Sequence, residues 1–243
     1  HLAEDLREML STLETAYESP VDIEFTVNFP TPDTPRIHLL QCRPLQVREG
    51  DRAAPDWPAP DQADWLAIAA DAVIGHSRSL PLDWIVYIPP RAYAALTLSD
   101  RHTLARWLGS LGCRLQSAPR RGAVIALLGP GRWGTTNPFL GIPVTFAELQ
   151  HVSAVFEIVA MHDHLIPDAS LGTHFFSDLV ESDMLYAALR PDRSPNVLDE
   201  TRLRALPNMV REVMPDAGRW ADIVQVISAQ HLPPPFAGIR LIA

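Results

Sequence analysis

Lysine is missing from this chain: all twenty basic residues are arginine, against 29 acidic ones, for a net charge of −9. That absence excludes a P-loop lysine on a phosphate and a Schiff-base lysine. The acidic balance, without any basic run, excludes a nucleic-acid-binding surface. Cysteine is nearly absent too, with only Cys42 and Cys113. Two cysteines build no disulfide framework, and this usage points to a reducing, cytoplasmic setting. No apolar run approaches the roughly 20 residues of a membrane span, so no membrane partner is expected. The opening residues, His1-Leu-Ala-Glu-Asp-Leu-Arg-Glu8, are acidic and amphipathic, unlike a signal peptide, and the lack of an initial Met is what a processed or cut piece would show.

What is present is apolar material, 47% of 243 residues, enough for one large or two small domains with a real core. Leu2, Leu6, Met9, Leu10, Leu13 and Tyr17 recur at helical spacing and predict an amphipathic helix that ends before Pro20. Val21 to Val27 alternates, with Ile23, Phe25 and Val27 facing one way and Asp22, Glu24 and Thr26 the other. A proline-punctuated loop, Asn28 to Pro35, leads to a second strand, Arg36 to Arg43, which puts Gln41 and Arg43 on one face. On spacing alone this is an ordinary half-buried hairpin with a polar outer side.

The two strands carry more than spacing. Asp22-Ile-Glu-Phe25 followed by Leu40-Gln-Cys-Arg-Pro44 resembles the end of the ATP-grasp nucleotide-binding domain of phosphoenolpyruvate synthase and pyruvate phosphate dikinase. The resemblance covers residues 1–47. It implies that Glu24 and Gln41 hold metal and nucleotide, that Asp22 supports them, and that Arg43 is catalytic, binding the phosphate in transfer. The implied cofactors are ATP and Mg²⁺, and the implied partners are a small-molecule phosphate acceptor such as pyruvate and an upstream ATP-grasp lobe. Carboxylate and amide oxygens suit Mg²⁺, and an arginine fork suits phosphate. The departures are equally specific. The family's nucleotide site also draws a lysine and an arginine from an N-terminal lobe, and neither that lobe, nor the phosphohistidine motif, nor the phosphoenolpyruvate-binding barrel is in this sequence. Residues 1–48 therefore read as the C-terminal piece of such a domain.

Residues 49–63, with three prolines and little periodicity, read as a semi-rigid linker, with Trp57 as a surface anchor. Beyond it, residues 64–243 read as a layered α/β domain with a mixed sheet. Trp65 to Ile74 is apolar and fits either strand or helix; Asp83–Ile88, Ala123–Leu128, Val152–Ala160, Asp222–Ser228 and Ile239–Ile242 read as strands, and residues 91–111 as one helix. After Leu128 comes a shaped loop with four glycines (129, 131, 134, 141) and three prolines (130, 138, 143) around Arg132. Gly129-x-Gly131-x-x-Gly134 has the letters of a dinucleotide fingerprint but lacks the helix that must begin at its third glycine, because Pro138, Gly141 and Pro143 follow. Two readings stay open: an anion held by backbone N–H groups and Arg132, or a structural loop.

Two polar constellations complete the reading. His162-x-His164, with Asp163 and Asp168, is a possible metal pair or a strand-end cap. A helix from about Thr173 would place Phe175, Phe176, Leu179 and Val180 on one stripe and His174, Asp178 and Glu181 on the other. With Arg132, these three form a second candidate site, expected to share one cleft. Residues 128–134, 140–144 and 172–181 are also similar to the C-terminal region of bacterial phosphoenolpyruvate/pyruvate-binding-domain proteins that carry a dikinase-type ATP-grasp domain. The reading from the sequence is thus the C-terminal part of an ATP-dependent phosphotransferase, contributing one wall of a Mg-ATP site and inactive alone. The alternative from another class is a non-catalytic module that binds a partner or an anion.

Overall fold

The computed structural model describes residues 2–17, 21–31, 34–44, 66–70, 73–74, 82–117, 122–159, 174–231 and 239–242. The chain is mixed α/β and divides into two compact units, His1–Glu49 and Gly50–Ala243. The expected linker and Trp57 lie outside the described residues.

The first unit is one helix and one ribbon. Helix α1 (Leu2–Tyr17) has its apolar positions at the expected spacing, yet none of its residues is fully buried. Strands β1 (Val21–Thr31) and β2 (Thr34–Pro44) pair antiparallel. The ribbon is longer than the sequence indicates: pairing reaches Asn28 with Arg36 and Thr31 with Thr34, across residues expected to be loop. A two-stranded ribbon has an unpaired side on each strand, where a proline's missing N–H is harmless, so Pro30 and Pro35 do not end it.

The second unit is built on a six-stranded sheet. Its strands are β4 (Val73–Ile74), β5 (Trp84–Tyr87), β6 (Ile125–Pro130), β9 (Ala154–Ile158), β10 (Leu185–Leu189) and β12 (Gln225–Ser228), in the order β12-β5-β6-β9-β10-β4. The inner four run parallel; β12 and β4 close the edges antiparallel. Helices α2 (Pro90–Ala94), α3 (Leu98–Ser117), α4 (Phe146–Leu149) and α5 (His174–Glu181) lie in the connections between parallel strands. Their apolar side chains, with Leu104, Leu108, Leu111 and Leu115 of α3 foremost, pack on Val86, Leu127, Val155 and Tyr186 of one sheet face. The other face, Ile85, Ala126, Phe156 and Ala187, packs on Leu66, Ala67 and Leu203. These come from a second small sheet, β11 (Val197–Leu198), β3 (Ala67–Ala70) and β13 (Ile239–Ile242), and from α6 (Glu200–Ala205). Covered on both sides, the inner strands read as unbroken apolar runs rather than alternations.

Several boundaries differ from the sequence reading. The single helix expected over 91–111 is two, because Thr97 starts a new one: its hydroxyl accepts the Asp100 N–H at 3.2 Å, an N-cap contact. The central strand begins two residues later than expected, at Ile125, and runs through Pro130. Val124 O is already taken by the N–H groups of Asp83 and Trp84. Trp65–Ile74 resolves into β3 and β4 where described. Strand β10 is missed altogether. Leu185-Tyr-Ala-Ala-Leu189 has no β-branched residue, and Tyr186 alone favours a strand, although all five residues are buried.

Candidate functional site

Residues opposite one another in an antiparallel pair share a face. Asp22 is opposite Arg43, and Glu24 is opposite Gln41. With a side-chain period of two, positions 22, 24, 41 and 43 therefore lie on one face of the ribbon. A bulge makes this arrangement. Glu24–Gln41 is followed by Phe25–Leu39, so Leu40 is an extra residue. Without it, Gln41 and Arg43 would share a face with the apolar Ile37 and Leu39, two and four residues earlier. The extra residue reverses that parity. Ile37 and Leu39 then join Ile23, Phe25 and Val27, while Gln41 and Arg43 stand with the acidic pair. Asp22 and Glu24 are half-buried and Gln41 is exposed; the side chain of Arg43 lies outside the described residues.

The second candidate site rests on the loop after β6. Here β7 (Arg132–Trp133) pairs parallel with β8 (Gly141–Ile142), folding the loop onto itself. The glycines serve close approach. A Cβ on Gly131, at φ +65°, would lie 2.3 Å from Leu140 O, and one on Gly134, at φ +73°, would lie 2.3 Å from the Phe175 ring. Those spaces are filled by protein, which favours the structural reading of the loop, and no helix starts at Gly134. Two further side chains fasten it. Buried Arg101 donates to Pro138 O at 2.8 Å and to Ala94 O at 3.0 Å, and the Tyr93 hydroxyl donates to Gly141 O at 2.5 Å. Burial pushes the Tyr93 phenol well above its usual range, and the Arg101 guanidinium, 4.9 Å from the ring centre, opposes that shift.

Under this loop sits a residue the sequence reading passed over. Glu157 of β9 is 1% exposed. Its Oε1 accepts the Trp133 N–H at 3.0 Å and its Oε2 accepts the Tyr186 hydroxyl at 2.7 Å. The Trp133 indole N–H donates to Phe156 O at 3.1 Å. Glu157 thus fixes the backbone next to Arg132 at the carboxyl ends of β6 and β9, where open α/β sheets gather their ligands. A signal was available: Glu157 is the one charged residue in the apolar run Val152–Ala160, and carboxylates are almost never fully buried unless paired.

The contact between Gly134 and Phe175 brings the loop against the first turn of α5, the helix of His174, Asp178 and Glu181. Arg132 and Asp178 are half-buried and Glu181 is exposed, whereas the side chain of His174 lies outside the described residues. The His162, Asp163, His164 and Asp168 group lies outside them entirely. Among the described residues no group of three His, Cys, Asp or Glu could hold a metal ion, and no helix is long and apolar enough to cross a membrane.

Residues 2–61 match the family model of the pyruvate phosphate dikinase AMP/ATP-binding domain. The match takes in α1 and the whole ribbon; residues 62–243 lie outside it. The resemblance read from the Asp22–Phe25 and Leu40–Pro44 motifs is therefore found a second time, over the same part of the chain. No curated protein and no solved structure matches the chain.

Proposed function

We propose that this chain belongs to an ATP-dependent phosphotransferase related to pyruvate phosphate dikinase, and that the polar face of the β1–β2 ribbon is one wall of its Mg-ATP site. The observation that carries the reading is the bulged register. It sets two carboxylates, an amide and an arginine position side by side on the segment that matches a nucleotide-binding family. The chemistry fits. Mg²⁺ keeps several waters and is usually bound through one or two carboxylates plus the nucleotide's own phosphates, which a set of Glu24, Asp22 and Gln41 can supply without a protein cage. Arg43 adds a guanidinium for phosphate oxygens.

One wall is not a site. With no lysine in the chain and arginine from one side only, the charge of phosphoryl transfer is left largely unmatched, and a single missing cation of this kind costs on the order of 10³-fold or more. The chain alone should neither release phosphate from Mg-ATP above a protein-free blank nor gain thermal stability from millimolar nucleotide. Weak contact should still be visible: Mn-ATP should broaden the amide resonances of residues 22–24 and 41–43 before all others. Broadening centred elsewhere would sink the wall assignment. Turnover abolished by Arg43→Ala would instead show that these residues contain a complete site.

A further inference from the structure

A cleft of about 360 Å³ opens at the carboxyl end of β5, lined by Arg91, Arg204, Asn208, Asp222 and Gln225 among others. Its position follows from the sheet. Helix α2 leaves β5 toward one face, where Tyr93 joins the helix-side core, whereas α6 puts Leu203 into the core of the opposite face. The cleft therefore lies between elements that diverge to the two sides, the kind of crevice in which α/β sheets bind small molecules.

Its charges favour an anion. Arg91 has no ion-pair partner among the described residues. Arg204 meets Glu200 at 3.1 Å, but both side chains are 40–50% exposed and adjacent on one helix; such a pair is weak and leaves most of the five guanidinium N–H donors available. The single lining carboxylate, Asp222, faces Arg211 at 3.5 Å in a pair that is more exposed still and equally weak, so the lining carries two arginines against one carboxylate. Asn208 is committed to the backbone: its amide donates to Ala221 O and Val224 O, and its oxygen accepts the Val210 and Val226 N–H groups. Gln225 is held by Leu206 O at 2.9 Å. The cleft walls are thereby fixed. The buried Tyr87 hydroxyl lies near Glu200 and Arg204, whose charges act on it in opposite directions.

We propose that this cleft binds a small phosphate-bearing molecule, gripped from two sides by Arg91 and Arg204. Two guanidiniums suit a phosphate dianion, whose several oxygens can take both forks at once. The inference is independent of the Mg-ATP reading of the ribbon. It is tested on the full chain with inorganic phosphate as probe and malonate as the carboxylate control, at constant ionic strength, by calorimetry and by amide shift mapping. The expected result is saturable phosphate binding, stronger than that of malonate, with shifts centred on residues 91, 204 and 222–225. Arg91→Gln and Arg204→Gln should each weaken it roughly tenfold or more, while Arg193→Gln, in an exposed turn, should leave it unchanged. Both arginines sit at the surface, so the variants should fold; if one does not, the shift map of the unaltered chain decides. Non-saturable binding, shifts centred elsewhere, binding unchanged in both cleft variants, or a preference for malonate would overturn the proposal.

Discussion

The two units of this chain pattern their strands differently, alternating apolar and polar residues in the first and running apolar in the second, and they pack differently. In the second, the inner strands are buried on both sides, and β6, β9 and β10 have every residue buried. In the first, Val21 is the only described residue that is buried; Phe25 and Leu39 remain 39% and 41% exposed. A helix over a two-stranded ribbon has no second layer to close a core, and isolated ribbons are marginal in water. In the second unit, buried polar side chains such as Glu157 and Arg101 are tied to the backbone of the loop that follows β6. The first unit leaves Asp22 and Glu24 half-buried and Gln41 exposed.

The widest contrast should appear in core truncation. Leu128→Ala, in the fully buried centre of the sheet, should cost about 2–5 kcal/mol. Phe25→Ala in the ribbon should cost less than about 1.5 kcal/mol, because much of that ring never leaves water. All six tryptophans lie after residue 49. Urea unfolding followed by tryptophan fluorescence therefore reads the second unit, and amide hydrogen exchange reads both. Equal losses from the two substitutions would break the comparison.

The carboxylates should separate next. Glu157 and Tyr186 complete each other inside the sheet at 2.7 Å, so Tyr186→Phe leaves a buried carboxylate oxygen short of a donor. That should cost about 1–3 kcal/mol. Glu157→Gln should cost a similar amount, and the double variant less than the two together by at least about 0.5 kcal/mol. Glu24→Gln, half-buried on the ribbon, should change stability by less than about 1 kcal/mol. Additive losses at 157 and 186 would show that the hydroxyl and carboxylate do not act as a pair.

How much of this was legible beforehand follows the same division. The ribbon's polar and apolar faces could be read from alternation in β1, and both nucleotide-type motifs from their letters. The bulge at Leu40 could not, since no residue there announces one; the faces of β2 make sense only once its parity changes. In the second unit, long apolar runs revealed β5, β6, β9 and β12. Strand β10 stayed hidden because Ala and Leu favour no strand locally, and its place is decided by β9 and β4 on either side. The glycines of the loop were visible as a set, but their reason, a backbone carbonyl or a phenylalanine ring lying where each Cβ would go, exists only after the chain has folded back. Glu157 was visible as a lone charge among apolar neighbours, and its partners, 24 and 29 residues away, were not.

The smallest effect expected is a pH dependence at the surface of the second unit. The side chain of Arg219 hydrogen-bonds the Asp100 carboxylate, and this contact, followed by that with Thr97, holds the Asp100 acid below its ordinary value of 3.8. A depressed carboxyl pKa means that the folded chain binds its proton less readily than the unfolded chain does. The stabilisation is then fully present above pH 3.8 and is lost as pH falls below it, through the lower folded-state value. Arg219 also lies over the Trp220 ring, 4.4 Å from its centre, which keeps the guanidinium placed when the carboxylate is neutral. Asp100→Asn should therefore lower the urea midpoint slightly at pH 6 in low salt. The difference should shrink in 1 M salt, which screens exposed charges, and vanish when both proteins are measured well below pH 3.8. A deficit that persists unchanged at low pH would show that Asp100 contributes by something other than its charge.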